Sequence, residues 1–338
     1  MKSSWKVSWL LVCLFLTGCQ MSVLNPAGRV AEEQSRLIIF SFAVMMIILL
    51  VVFVLFFRFL WRYREDSRIE RPPHTQENDN KKLEITWTVL PLLVLLLLAV
   101  PMLMQTYSLE TKTTQEEMTI EVTGQQYWWR FDYPDENIRT AQELHLPANT
   151  NITFELNTED VIHSFWIPQL GGKKDAIPGR TNELHLETGR PGVYEGKCAE
   201  LCGAAHTDMR FQVVVHEEED FTDWVEAAGQ DVTPEENETV QEEGARVFQE
   251  NCLACHAADG AATKNDQGPN LALYGERDKI SGSFANDEEQ LKAFLRHPNN
   301  FKPSTDMPAY NNLSREEMDA LVNYLHGLTR ENVQGGSD

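Results

Sequence analysis

The chain has 338 residues, enough for two or more domains. With 29 basic against 51 acidic side chains and a formal net charge of −22, it argues against nucleic-acid binding and suits basic or neutral partners. The six cysteines fall into three pairs, Cys13/Cys19, Cys198/Cys202 and Cys252/Cys255, a usage that favours cofactor chemistry over a disulfide scaffold.

Residues 1–18 carry Lys2 and Lys6, then an apolar run, then Leu16-Thr17-Gly18-Cys19. That is the layout of a secretory signal. Its ending resembles a bacterial lipobox, which makes Cys19 the expected lipidated residue; the alternative is a plain signal peptide with an incidental cysteine. Residues 37–57 and 85–104 are apolar runs long enough to cross a bilayer as helices. Pro91 and Pro101 fall inside the second, where neighbouring membrane helices can absorb a kink. Between the runs stand Arg58, Arg62, Arg64, Arg68, Arg71, Lys81 and Lys82. By the positive-inside rule this loop is cytoplasmic, both termini face outward, and residues 19–109 form a transmembrane hairpin. Glu84 stands at the mouth of the second helix, a position open both to a headgroup-level boundary residue and to a functional one.

From Thr119 the pattern changes. Short β-rich runs recur at 119–122, 152–156, 183–186 and 211–215, separated by Gly, Pro and Asn, and read as a β-sandwich over residues 117–225. An aromatic cluster, Tyr127, Trp128, Trp129, Phe131 and Tyr133, lies within it. Cys198–Met209 reads C-A-E-L-C-G-A-A-H-T-D-M. Thiolates Cys198 and Cys202, the imidazole of His206 and the thioether of Met209 favour copper over harder cations. His163 in D-V-I-H-S-F-W is the best candidate for a second imidazole. A mononuclear blue-copper site needs one Cys; two can bridge a pair of copper ions, which would share an electron with little rearrangement. A disulfide and a Cys/His zinc site are the alternatives, although zinc has no use for Met209.

From Glu217 to Glu243 there are twelve acidic residues and no Lys or Arg. This reads as a solvated, self-repelling tether, helical at its start around Trp224, with residues 226–239 as the linker. Residues 240–330 contain C-L-A-C-H (Cys252–His256), the attachment motif of a c-type haem. Cys252 and Cys255 are expected to bind the vinyl groups and His256 the iron. Met307 in D-M-P is the expected sixth ligand; Met318 falls at helical spacing on an apolar face and reads as core, and His297 and His326 are rivals.

The copper loop, D-A-I-P-G-R (Asp175–Arg180) and W-T-V-L-P (Trp87–Pro91) together resemble subunit II of cytochrome c oxidase. With the haem segment, the resemblance extends over the whole chain, to the bacterial caa type with a fused cytochrome. It implies a membrane-anchored multidomain fold: a two-helix hairpin, a cupredoxin-like Greek-key sandwich and an all-α class I cytochrome c domain. It also implies that two copper ions are held by His163, Cys198, Cys202, His206, Met209 and the main-chain carbonyl of Glu200. The Glu200 side chain would face a magnesium ion at the partner subunit, and Glu84 would stand at a proton-path entrance. Where the family has G-H-Q-W-Y-W, this chain has G-Q-Q-Y-W-W. Tyr127 therefore occupies the electron entrance ahead of Trp128 and Trp129, which puts the usual route from an external donor in question. The implied function is electron input to a proton-translocating oxidase, with oxygen reduced in subunit I. The donor would be cytochrome c or a quinol–cytochrome c reductase complex, and membrane lipid a further partner. Rival functions are electron input to a nitric oxide reductase, a quinol oxidase subunit II (which lacks the copper ligands), and a copper-handling membrane lipoprotein.

Overall fold

The computed structural model describes residues 22–64, 80–110, 117–229, 239–258 and 267–334. Cys13, Cys19, the signal segment, Arg68, Arg71 and most of the acidic linker lie outside these. Helix α1 (Arg29–Arg62) has 34 residues and α2 (Lys81–Glu110) has 30. At about 1.5 Å per residue each exceeds the ~30 Å of bilayer hydrocarbon. Both are long and apolar enough to cross a membrane, and side chains such as Leu50, Phe53, Leu93 and Leu96 are exposed on them. Such apolar surface requires lipid or another protein as its covering. The helices outrun the apolar stretches because polar residues continue them. Glu32 pairs with Arg36 one turn on at 2.5 Å, and Asn80 accepts from the Leu83 amide at 3.2 Å at the start of α2. Glu84 is exposed in the first turn of α2.

The sandwich has ten strands: β1 (Glu117–Gln125), β2 (Trp128–Tyr133), β3 (Ile138–Ala141), β4 (Glu143–Pro147), β5 (Asn151–Thr158), β6 (His163–Trp166), β7 (Lys174–Ala176), β8 (Asn182–Glu187), β9 (Gly192–Cys198) and β10 (Arg210–His216). One sheet runs β3-β2-β1-β5-β8 and the other β4-β10-β9-β6-β7. The β1–β5 and β4–β10 pairs are parallel, which hairpins cannot produce, so the chain must cross between sheets. Alternation in β10 turns Phe211, Val213 and Val215 inward. Trp129, Phe131, Phe165 and Phe211 fill the centre, Phe165 stacking on Phe211 at 5.0 Å. Any Cβ on Gly196 would lie 2.1 Å from the Phe211 ring, so only glycine lets that ring close over β9.

After β10 comes α3 (Glu218–Ala228), whose Trp224 is buried and stacks on His145 at 4.3 Å. The start of the acidic segment is therefore docked helix. The C-terminal part contains α4 (Thr239–Asn251), the hairpin β11–β12 (Lys279–Ile280, Phe284–Ala285), α5 (Glu288–Arg296), α6 (Pro298–Phe301), α7 (Arg315–His326) and α8 (Arg330–Gln334). Helices α4 and α7 cross where Gly244 meets Ala320; a Cβ there would lie 2.3 Å from the Ala320 carbonyl. Phe248 packs on Tyr324 at 5.4 Å. A reciprocal Ser314/Glu317 capping box starts α7, and Met318, Leu321, Tyr324 and Leu325 are buried on it. The sandwich, α3–α8 and the segment entering α1 up to Ala31 belong to one compact unit, and the rest of α1 with α2 to another.

Candidate metal and haem sites

Strand β6 begins at His163 and β9 ends at Cys198, so these two side chains emerge from one sheet where Phe165 pairs with Cys198. The D-A-I-P-G-R segment braces this edge: Ala176 of β7 pairs with His163, and Asp175 accepts from the Ser164 hydroxyl at 2.8 Å. The remaining donors come from the loop joining β9 to β10. Cys198 Sγ lies 3.9 Å from Cys202 Sγ and 3.9 Å from His163 Nδ1. Cys202 Sγ lies 3.6 Å from His206 Nδ1 and 3.7 Å from Met209 Sδ. Cys198 Sγ also contacts the Glu200 carbonyl oxygen at 3.2 Å. His163, Cys198, Cys202 and Met209 are buried, and His206 is half-buried. All five sequence-predicted donors and the Glu200 carbonyl are thus gathered around two adjacent sulfurs, each with its own imidazole. The set is soft, largely dry and free of a disulfide, and its chemistry fits copper.

Outer contacts fix the ligands. His163 turns Nδ1 to Cys198 and Nε2 to the Asp160 carboxylate at 2.8 Å, a carboxylate–imidazole arrangement that sets ring orientation and raises basicity. Burial alone would lower the His163 pKa, but hydrogen bonds with Cys198 and Asp160 outweigh it and the net shift is upward. The Cys198 thiol is held well below its usual range, first by its hydrogen bond with Cys202 and then by His163; the same bond pushes Cys202 up. Without metal, the buried pair therefore sheds one proton easily and holds the other. Gly124 on β1 leaves room for the imidazole, since a Cβ would lie 2.8 Å from His163 Cδ2.

Of the aromatic residues, Trp129 is fully buried with its ring 5.8 Å from that of His163. Trp128 and Tyr127 are 9 % and 5 % exposed, so neither offers an open surface to an external molecule. The Tyr127 hydroxyl accepts from the Ala204 amide at 3.0 Å, and the Gln126 amide group donates to the Cys202 carbonyl. The residues before β2 are in this way tied to the copper-side loop.

In the C-terminal part, the C-L-A-C-H segment follows α4 directly. Cys252 is buried, Cys255 and His256 half-buried, and both thiols are free. The G-P-N-L loop (Gly268–Leu271) orients His256: Nδ1 lies 2.8 Å from the Pro269 carbonyl, which leaves Nε2 for an iron ion. Gly268 passes so close that a Cβ would sit 2.8 Å from His256 Cε1. Buried Arg277 pins the loop by donating to the Asn270 and Ala272 carbonyls at 2.9 and 3.0 Å. Burial pushes the Cys252 thiol up to about 11. Met307 is half-buried in the segment between α6 and α7, while Met318 is 1 % exposed within α7. His297 is exposed, and His326 contacts the Asn286 side chain at 3.3 Å. Two thiols and an imidazole with one nitrogen already engaged suit a covalently held haem.

Family models agree. Residues 17–104 match the transmembrane domain of cytochrome c oxidase subunit II, residues 137–217 its periplasmic domain and residues 241–329 cytochrome c. The cytochrome c oxidase subunit 2 of Alkalihalophilus pseudofirmus is 41 % identical over 325 residues, covering 93 % of this chain and 94 % of that protein. The chain belongs to the cytochrome c oxidase subunit II family. The Bacillus subtilis subunit 2 is 37 % identical over 357 residues, 98 % of this chain and 99 % of its own. A quinol oxidase subunit 2 of Bacillus cereus is 36 % identical over only 240 residues, 68 % of this chain and 82 % of its own. The solved periplasmic domain of subunit II from Bradyrhizobium japonicum is 35 % identical, covering 34 % of this chain and 95 % of its own, with a TM-score of 0.32. As a subunit II with a fused cytochrome, the chain is the electron-input subunit of a terminal cytochrome c oxidase. Neither the nitric oxide reductase nor the copper-handling lipoprotein reading is supported. It is membrane-anchored, and its family places it beside subunit I of the oxidase complex.

Proposed function

We propose that electrons from an external cytochrome c or a quinol–cytochrome c reductase complex are received at the haem segment, pass to the copper-side loop, and leave for subunit I. The observation that carries this reading is the pair of thiols 3.9 Å apart, each beside its own imidazole, in one compact unit with the C-x-x-C-H segment. When bound, the two copper ions and the haem would each supply a reversible one-electron carrier. Cys198, Cys202, His163, His206, Met209 and the Glu200 carbonyl would hold the copper ions, the two thiolates supplying the soft donors and the imidazoles completing the set. Asp160 holds the His163 ring, and Pro269 holds His256, so neither ligand must reorganise when charge moves. Ligands held rigidly in place keep the cost of each transfer small.

Several finer assignments belong to the same reading. The Glu200 carboxylate would help to hold a magnesium ion at the boundary with subunit I. Glu84 stands at the proton-path entrance on the cytoplasmic side, with the basic loop, and both cofactor-bearing parts lie outside. Cys19 bears lipid, a secondary anchor beside two spanning helices. The deciding measurement uses the complex purified through this chain. It should oxidise reduced cytochrome c with uptake of oxygen and none of nitric oxide; turnover with nitric oxide alone would overturn the reading.

Met307 is proposed as the distal haem ligand. Met307→Ala should leave haem covalently attached through Cys252 and Cys255, remove the weak far-red band of Met–ferric haem and lower the potential, because Met ligation raises it. The same loss on Met318→Ala, with Met307→Ala unchanged, would reverse the assignment.

A further inference from the structure

Among the described residues, the haem-bearing part meets the sandwich side along α3, where a cavity is lined jointly by His145, Trp224, Leu273 and Arg277, and at two further places close to the copper residues. At one, the turn between β11 and β12 lies on the strand and loop next to the copper residues. Gln142 donates to the Ser281 carbonyl at 2.7 Å, and the Ser283 hydroxyl donates to the Asp208 carbonyl at 3.0 Å. Gly282, at φ +76°, passes so near Arg210 that a Cβ would lie 2.0 Å from its carbonyl oxygen. At the other, Lys302 enters from the segment after α6. Its Nζ donates to the Tyr127 main-chain carbonyl at 2.6 Å, and the residue is only 4 % exposed.

A buried ammonium is an expensive way to hold two surfaces together, because its hydration is lost and must be replaced. Burial lowers the pKa of Lys302 to about 7, against the opposing pull of Asp208 and Cys202. A methionine or leucine would fill the same space at less cost. What lysine adds is direction: a donor on a long stem that requires one particular carbonyl. That carbonyl belongs to the residue whose hydroxyl is bonded to the Ala204 amide, between Cys202 and His206. On the other side, Lys302 begins the segment that carries Met307 five residues later, and the Thr305 amide donates back to the Lys302 carbonyl at 3.2 Å. One continuous run of bonded contacts thus joins the Met307 segment to the copper-side loop through Lys302 and Tyr127.

We propose that Lys302 is a positioning residue for internal electron transfer: its hydrogen bond to the Tyr127 carbonyl seats the haem-bearing part on the copper sandwich in the orientation from which electrons cross. This rests on the proposed haem-to-copper route. Tunnelling weakens steeply with separation, so a seat that fixes a few ångström matters more than one that merely keeps the parts together. The Lys302 contact fixes the Met307 side of the approach, and the Ser281–Ser283 turn prevents rotation about it. The same seat covers Tyr127 and closes the sandwich to direct contact by a separate donor.

The test uses the complete oxidase complex with Lys302→Met, which keeps the stem and removes the donor. Two quantities are read: haem-to-copper transfer after flash reduction of the haem, and hydrogen exchange at backbone amides of residues 279–285 and 125–130. The expected result is transfer slower by about tenfold or more, newly dependent on solvent viscosity because the part must find its seat again, with exchange protection lost in both segments. Haem and copper spectra should stay as in the unsubstituted complex. Gly282→Ala, which wedges the other contact, should lower protection in the same segments and slow transfer in the same way, so the result does not hang on one variant. Unchanged protection in Lys302→Met, or lost protection with unchanged transfer, would overturn the positioning role. Absence of haem-to-copper transfer in the unsubstituted complex would instead overturn the route, and the exchange measurement would still decide the seat.

Discussion

Cys202→Ser is expected to abolish turnover and to convert the copper signal from one electron shared by two nuclei to a mononuclear pattern. Cys202 is the node of the site: its sulfur lies within 3.9 Å of Cys198 Sγ, His206 Nδ1 and Met209 Sδ. Serine fits the same volume, so the sandwich should survive with a change within about 1–2 kcal/mol. The alcohol, however, stays protonated where a thiol ionises, and it is a hard donor where a soft one is required. Only Cys198 would remain to bind copper through sulfur, and His206 and Met209 would lose the atom they converge on. The chemistry of the metal-free pair points the same way. The two thiols retain a shared proton, so metal loading must release it, and uptake should therefore weaken as pH falls. Electron-spin resonance, copper content per chain and oxygen uptake read the outcome together. A serine variant that kept two copper ions and its shared-electron signal would falsify the bridging role of Cys202.

Much of this site was legible from spacing alone. Cys198, Cys202, His206 and Met209 lie within one loop, so the chain itself brings them together, and C-L-A-C-H carries its chemistry in five consecutive residues. The strands containing 119–122, 152–156, 183–186 and 211–215 showed because β-rich runs recur between turn residues, and in β10 buried and wetter positions alternate. Strand β2 was hidden for the opposite reason: in W-W-R-F-D-Y nearly every position is buried, so alternation vanishes and only an aromatic cluster is visible. Strand β6 has only four residues and is held against β9, which is distant in sequence. His163 was suggested by its type and context, yet nothing local says that its ring would face Cys198. Asp160, Gly124 and Pro269 stand in segments the sequence singled out, but their roles could not be read there because each acts through another residue and matters only once the ligand orientation is known. The acidic composition after Glu217 suggested a freely solvated tether. The helix expected around Trp224 is present as α3; what composition did not show is that it docks, since stacking on His145 fixes it while its carboxylates stay in water. Lys302 was invisible for a plainer reason: a lone lysine in a polar stretch gives no sign that it will be buried against a carbonyl 175 positions away.

The remaining large effect should come from ending the chain after Gly229. Every proposed copper donor and its brace, from Gly124 and Asp160 to Met209, precedes that point. The paired-copper signal and assembly with subunit I should therefore persist. Oxidation of a physiological cytochrome should nevertheless fall steeply, by about a hundredfold. A tethered partner acts at an effective concentration of about millimolar, whereas a free donor must supply the encounter from solution. Removing the C-terminal part also removes Lys302 from the Tyr127 carbonyl and Ser281 from Gln142, so the sandwich face at Tyr127 becomes open. An external donor could then approach it, but would meet a tyrosine where the family pattern has tryptophan. Tyr127→Trp in the truncated chain should restore part of the lost activity by offering a larger, more easily oxidised ring. The gain is limited because tryptophan gives up the bond from the Ala204 amide to the Tyr127 hydroxyl. The same substitution in the full chain should change little, since the haem-bearing part still covers the position. Steady-state cytochrome oxidation, compared across the four chains at equal copper content, separates these contributions. Undiminished oxidation by the truncated chain would make the haem-bearing part an accessory and place the electron entrance on the sandwich itself.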